Sequence, residues 1–302
     1  MPVDALLPIL VYFLVGIVLR RFGMAAGSEA AFLFRLILHV TLPALAFQAI
    51  SGATLTRDLI LLPVSGLAIN LICMSAAIVY ARAASLSTRA SGALVLGAAI
   101  MNGVFVFTFV LMSLGPEALA EAILVDLGNA VFVATFAYSA AGYFGGSRRA
   151  SFAASFFRTF RSPIFIALAI GLVCALGELK PPAMAMRVLS PLGAATIPLT
   201  MVALGISFSH VALRDPLAVR TVLLRMPLGL AAGFFFVWLF GFAGATATVV
   251  LVAAASPIGF SSVTLASVAR LDTEQAVAAL SLSVAVGMAS TPLLLWAAHR
   301  WL

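Results

Sequence analysis

The sequence predicts an all-α integral membrane protein of ten transmembrane helices, built as two inverted five-helix repeats. Composition is the first observation behind this. Of 302 residues 64% are hydrophobic and only 9% are charged, against roughly 25% charged in a soluble domain, and the mean hydropathy is +1.19. Spacing is the second, because the apolar residues fall into ten runs, each near the ~20 residues that cross the hydrocarbon core. The third is an internal match between two stretches of the chain at a fixed offset, which turns the count into a symmetry.

Taken in order, the runs are 4–22, 29–50, 59–81, 91–114, 118–143, 160–178, 184–209, 218–242, 245–269 and 273–298. Charge pairs, glycine and proline separate them. Arg20-Arg21 closes the first run and Arg57-Asp58 precedes the third. Arg82 to Arg89 and Gly115-Pro116-Glu117 bracket the fourth. Gly145 to Arg161 divides the chain in the middle, and Lys180-Pro181-Pro182, Arg214-Asp215-Pro216, Gly241 to Gly244 and Arg270 to Glu274 punctuate the second half. The expected units are a first repeat over 1–145, a short cytoplasmic linker over 146–159 and an inverted second repeat over 160–302. The amino terminus lacks the basic start and small-residue cleavage site of a signal peptide, so the first run is expected to be retained. Cys73 and Cys174 both fall inside apolar runs and read as reduced packing residues.

Net charge is +7, from 17 Lys and Arg against 10 Asp and Glu. The basic residues stand singly or in pairs at the ends of runs, which argues for membrane topology and against nucleic acid as a partner. Beside the loops that follow odd-numbered spans lie Arg20, Arg21, Arg82, Arg89, Arg148, Arg149, Arg158, Arg161, Arg214, Arg220, Arg225 and Arg270. The opposite side holds Arg57, Lys180, Arg187 and Arg300. The richer side is expected to face the cytoplasm of a bacterial inner membrane, with both termini outside. Arg35, about two turns into the second span, is left to snorkel or to face a polar cavity.

Residues 94–126 lie over 249–281 without a gap. Asn102-Gly103 then falls on Pro257-Ile258, Phe105 on Phe260 and Glu117 on Asp272. A second echo sets Pro43 before Arg57-Asp58 as Pro198 stands before Arg214-Asp215. Five spans per half is an odd number, so the halves enter the membrane from opposite sides. Inverted repeats of this kind characterise secondary transporters, whose sites lie near the midplane between the repeats.

The fourth and ninth spans carry polar or rigid residues near their centres. Asn102 and Gly103 interrupt the fourth; Ser256, Pro257, Ile258 and Gly259, followed by Ser261 and Ser262, interrupt the ninth. Proline removes a donor and frees a carbonyl, and unpaired backbone in hydrocarbon costs several kcal/mol unless it lines a cavity or is buried in protein. Two breaks at matching positions predict one shared polar site. Each second half-helix would begin at its break with unpaired N–H groups and a positive dipole end, an arrangement that favours an anion. The plainer reading makes both breaks packing kinks.

Asp126, two turns into the fifth span with Asn129 beside it, is the most telling ionisable residue. It is a candidate proton carrier or cation ligand, or else a structural partner for Arg35, His39 or a backbone group. His39 and Gln48 on the second span are further candidates for the polar cavity, although a histidine in such a span is more often simply hydrogen-bonded in the core. Asn70 and Ser283 are polar at mid-span. No P-loop, HExxH, GxSxG or paired metal-binding motif occurs, so neither an enzyme nor a cofactor is expected.

TLPALAFQAISG in the second span, AAIMNGVFVFTFVLMSLGPEALAEAILVDLGN across the fourth and fifth, and SPIGFSSVTLASVARLDTEQAVAALSLSVAVGMASTPL across the last two resemble the auxin efflux carrier family, in particular its bacterial malonate and malate permease-like members. The resemblance runs over essentially the whole chain. It implies that the broken fourth and ninth helices cross, as in bile-acid symporters, that a mobile bundle slides against a scaffold in an elevator cycle, and that the cargo is a small organic anion such as a mono- or dicarboxylate. Two departures stand out: family members often carry proline at the fourth-helix break, where this chain has Asn102-Gly103, and plant members have a long hydrophilic central loop that is missing here. A coupling proton or sodium ion and a homodimer stay open as partners beside the lipid bilayer. Rival readings are a sodium-coupled organic-anion symporter of the bile-acid type and a membrane-embedded enzyme acting on lipids.

Overall fold

A computed structural model describes residues 7–53, 58–146, 161–208 and 215–301. Among them every regular element is helical, joined by one isolated antiparallel bridge between Met101 and Ile258. The helices are α1 (Leu7–Arg21), α2 (Gly27–Ser51), α3 (Asp58–Ala83), α4 (Thr88–Ala99), α5 (Gly103–Leu114), α6 (Pro116–Phe144), α7 (Pro163–Leu176), α8 (Ala183–Ser207), α9 (Pro216–Phe240), α10 (Gly244–Ala254), α11 (Phe260–Val268) and α12 (Thr273–Trp301). Six are long and apolar enough to cross a membrane unaided: α2, α3, α6, α8, α9 and α12. α5, α7 and α10 are apolar but shorter. α4 and α5 have 12 residues each, about 18 Å at 1.5 Å per residue, so neither reaches across ~30 Å alone. From residue 147 onward the expected linker lies outside the described residues, as do Arg57, Arg148, Arg149, Arg158 and Arg214.

Local chemistry fixes the ends. Ser87 Oγ accepts from the Ala90 N–H to open α4, and Asp215 Oδ1 accepts from Leu217 N–H at 2.8 Å to open α9, where Pro216 takes the first helical position. Gly241 closes α9 in the left-handed region, at φ 70°. α2 widens to a π-turn over Ile37–Thr41 just ahead of Pro43, whose ring cannot continue the regular ladder.

The helices sort into two groups by contact. α1 lies along the second half of α8, α7 along the second half of α2, and α2 against α8. Arg20 reaches from α1 to the carbonyls of Ile206 and Phe208 at 2.8 and 2.9 Å, and Gln48 donates from α2 to the Leu189 carbonyl at 2.7 Å. The second group takes in α3 to α6 and α9 to α12, centred on the packing of α3 with α6 and of α9 with α3, α10 and α12. Between the groups the contact includes a stack of Phe34 of α2 on Phe260 of α11, with centroids 4.3 Å apart. The outer faces carry large exposed apolar side chains such as Ile60, Val79, Phe234, Trp238 and Leu293, the surface expected against lipid rather than water. Near the end of α12 the Arg300 guanidinium sits 4.5 Å from the Trp296 ring centroid, a pairing suited to a membrane–water interface.

One charge is not where the loop count put it. Arg225, grouped above with interfacial arginines, is fully buried inside α9. Nine residues of helix separate it from Pro216, about 13 Å of rise, too deep for its head to reach the interface. Arg35 is exposed. Cys73 is buried and Cys174 half-buried, and both are free thiols.

Candidate functional site

The site grows from the two places where backbone leaves the helix. α4 stops at Ala99, and Ile100 to Asn102 run extended before α5 begins at Gly103; α10 stops at Ala254, and Ala255 to Gly259 pass irregularly into α11. The two stretches cross and pair. Asn102 N–H donates to the Pro257 carbonyl at 3.0 Å, and Gly259 N–H to the Ile100 carbonyl at 2.9 Å. Side chains complete the pairing: Asn102 Nδ2 donates to the Ile258 carbonyl, Ile258 N–H donates to Ser283 Oγ at 3.0 Å, and Asn129 Nδ2 donates to the Met101 carbonyl. Groups that would each cost several kcal/mol if left bare in hydrocarbon thus find partners in the opposite break or on α6 and α12. Close approach demands glycine at two points. A Cβ on Gly259 would overlap the Met101 carbonyl, and one on Gly103 would overlap the Asp126 carboxylate.

The four half-helix ends that meet here are answered differently. At the positive start of α5, Asn102 Oδ1 caps the Phe105 N–H at 3.2 Å and the half-buried Asp126 carboxylate lies against Gly103, so a negative group already occupies that end. At the negative finish of α10, Arg225 donates to the carbonyls of Ala253, Ala254 and Ser256 and to Ser256 Oγ, all at 3.2 to 3.3 Å. Past the end of α4, the Ile100 and Met101 carbonyls accept from the Gly259 N–H and Asn129 Nδ2. At the positive start of α11, Gly259 supplies no side-chain cap. That end carries the half-buried Phe260 and Ser261 and abuts α2 through Phe34; Ser262 turns inward, its hydroxyl donating to the Gly259 carbonyl at 2.8 Å.

An amide relay joins the two charges. Arg225 Nη1 donates to Asn70 Oδ1, Asn70 Nδ2 to Asn129 Oδ1 at 2.9 Å, and Asn129 Nδ2 to Asp126 Oδ1 at 2.8 Å. Asn70 and Arg225 are 155 positions apart, the offset at which 94–126 overlies 249–281.

Of the residues singled out from sequence, Asn102, Gly103, Asp126, Asn129, Ser256, Pro257, Ile258, Gly259, Ser261 and Ser262 come together around the crossing. His39 and Gln48 do not. His39 is exposed, with Nδ1 2.9 Å from the Arg35 carbonyl of its own helix, and Gln48 bonds the Ala44 and Leu189 carbonyls within the first helix group. The expectation of an anion at both half-helix starts also changes, since Asp126 stands at the α5 start. Arg225 is grouped by the sequence with the loop arginines because an arginine near a span boundary reads as interfacial; its distance from Pro216 and its offset from Asn70 are the available signals. Among the described residues no cluster of three or more His, Cys, Asp and Glu is placed to hold a metal. A cavity of about 860 Å³ opens where α3 and α6 end and α4 begins, lined by Arg82, Ser91, Ser139 and Tyr143 among others, and none of the crossing residues lines it.

Known proteins agree with this picture at the level of class. Residues 2–295 match the family described as membrane transport protein. A protein of Methanothermobacter thermautotrophicus described as an uncharacterized transporter is 28% identical over 299 residues, covering 96% of each chain.

Proposed function

Because the chain belongs to the membrane transport protein family, the auxin efflux carriers that its sequence resembles, and is accordingly a multi-pass membrane transporter, we propose that its cargo is a small organic anion, a mono- or dicarboxylate, held at the start of α11. The observation that carries this reading is the uncapped α11 N-terminus at the crossing. Its first two N–H groups, of Phe260 and Ser261, have no intrahelical acceptors, while the Ser262 N–H bonds the Gly259 carbonyl at 3.0 Å; its dipole end is positive, and Ser261 adds a hydroxyl beside them. The other positive end, at α5, has Asp126 against it, which leaves α11 as the place where a carboxylate gains most.

The two helix groups, each drawn from both of the inverted repeats 1–145 and 160–302 that the short linker over 146–159 joins, support an elevator-like cycle. The crossing belongs wholly to the group of α3 to α6 and α9 to α12, while α2 of the other group closes over the α11 start through the Phe34–Phe260 stack. Sliding one group past the other would then carry the anion with α11 and exchange the apolar surface that covers it, with both groups keeping their own hydrogen bonds.

Asp126 supports coupling to a proton or a small cation. It is half-buried beside the first break, where the Asn129 amide donates to both its Oδ1 and the Met101 carbonyl, so an acid and a backbone oxygen share one donor there. This acid-and-amide cluster beside the first break is what a sodium-coupled symporter of the bile-acid type would need, and it keeps that second reading in view. Flux of labelled mono- and dicarboxylates into proteoliposomes, with and without a sodium gradient and a pH gradient, tests both. Carboxylate uptake is expected, with one gradient accelerating it. Uptake of no carboxylate by protein that is folded and inserted would contradict the assignment.

A further inference from the structure

Arg225 has no part in the anion site described above, and its surroundings are unusual for an arginine. Its hydrogen-bond partners are neutral: the carbonyl oxygens of Ala253, Ala254 and Ser256, Ser256 Oγ, Asn70 Oδ1, and Cys73 Sγ at 3.8 Å. The side chain is fully buried, and arginine keeps its charge in proteins. Five oxygens from unwound backbone, a helix C-terminus, a hydroxyl and an amide are the donor set that a hard monovalent cation takes where membrane helices break. Here a covalently attached cation occupies it.

We propose that the Arg225 guanidinium is a resident monovalent cation, filling the oxygen cage at the α10/α11 break permanently so that this break requires no ion from solution. Sequence offset supports the reading. The position 155 residues earlier is Asn70, a neutral amide, so one half contributes the cation and the other only a ligand to it. The relay through Asn70 and Asn129 gives the fixed charge a remote counter-charge in Asp126. The transporter then has one fixed positive charge beside the second break and one exchangeable position, at Asp126, beside the first.

The inference rests on the crossing being the transport core, and stability measurements separate the two claims. Full-length protein in detergent is melted in choline, sodium or guanidinium chloride at matched ionic strength. Arg225→Ala is expected to lose on the order of 10 °C in choline and to regain part of it in guanidinium or sodium chloride; wild type gains nothing from guanidinium. Arg225→Lys, which keeps a cation, is expected to melt well above Arg225→Met, which has similar reach and no charge. The lysine and methionine variants decide the matter even if Arg225→Ala does not fold. Equal melting of Arg225→Lys and Arg225→Met, or a destabilised Arg225→Ala that neither salt restores beyond choline, overturns the proposal and assigns Arg225 to packing. If carboxylates fail to stabilise wild type while salt restores Arg225→Ala, the anion site falls and the cage stands.

Discussion

The break between α4 and α5 is closed by its own neighbours, with Asn102 capping the new helix and Asp126 set against its first residue. The break between α10 and α11 is answered on one side only: Arg225 fills the end of α10, while the start of α11 has no side-chain cap. Matched positions in a repeated sequence thus carry opposite electrostatic states. Strict symmetry would give two equivalent anion sites, one at each half-helix start, whereas the observed difference leaves one positive end for a ligand and surrounds the other with an acid and amides suited to a cation or proton. On the function proposed above, divergence of a few side chains divides cargo from coupling between the two breaks.

The comparison can be broken at several points. The largest effect is expected from Asn129→Leu, which strips partners from the Met101 carbonyl, Asp126 and Asn70 together; a loss of about 3 kcal/mol or more follows from unpairing buried groups in one network, readable as a lower melting temperature. Gly103→Ala drives a methyl into the Asp126 carboxylate and is expected to cost about 1–3 kcal/mol, with altered dependence of uptake on the coupling gradient; unchanged coupling would separate Asp126 from the ion. Ser261→Ala removes one hydroxyl from the α11 start, and a loss of about 1 kcal/mol corresponds to roughly fivefold weaker carboxylate binding with little change in melting. His39→Ala, on an exposed face, is expected to stay within about 0.5 kcal/mol of wild type and to leave flux unchanged; a large loss of flux would return His39 to the site.

Much of this arrangement was legible from residue types. Asn102 and Pro257 stand out because polar and rigid residues in the middle of apolar runs must be answered by something. Their mutual pairing was less visible, since Met101 and Ile258, the residues at the bridge, are apolar and backbone pairing leaves no mark on side-chain choice. Arg225 was misread because its span begins with Arg214, Pro216 and Arg220, which draw a third arginine into the same interfacial reading although a helix carries it about 13 Å deeper. His39 and Gln48 lie at sensible depths, but depth along a helix does not reveal which neighbours that helix packs on, and α2 belongs to the other group. Asp126 and Asn129 were found together because a carboxylate and an amide three residues apart share one helix face.

The uncapped start of α11 is the claim on which the functional reading depends, and Ser261→Asp tests it most directly. A carboxylate built into the first turn would imitate the bound anion. In carboxylate titrations monitored by thermal unfolding, wild type is expected to gain stability with ligand. Ser261→Asp is expected to melt above ligand-free wild type and to gain nothing further. If Ser261→Asp melts lower and still responds fully to carboxylates, the anion binds elsewhere and the account of the two breaks is wrong.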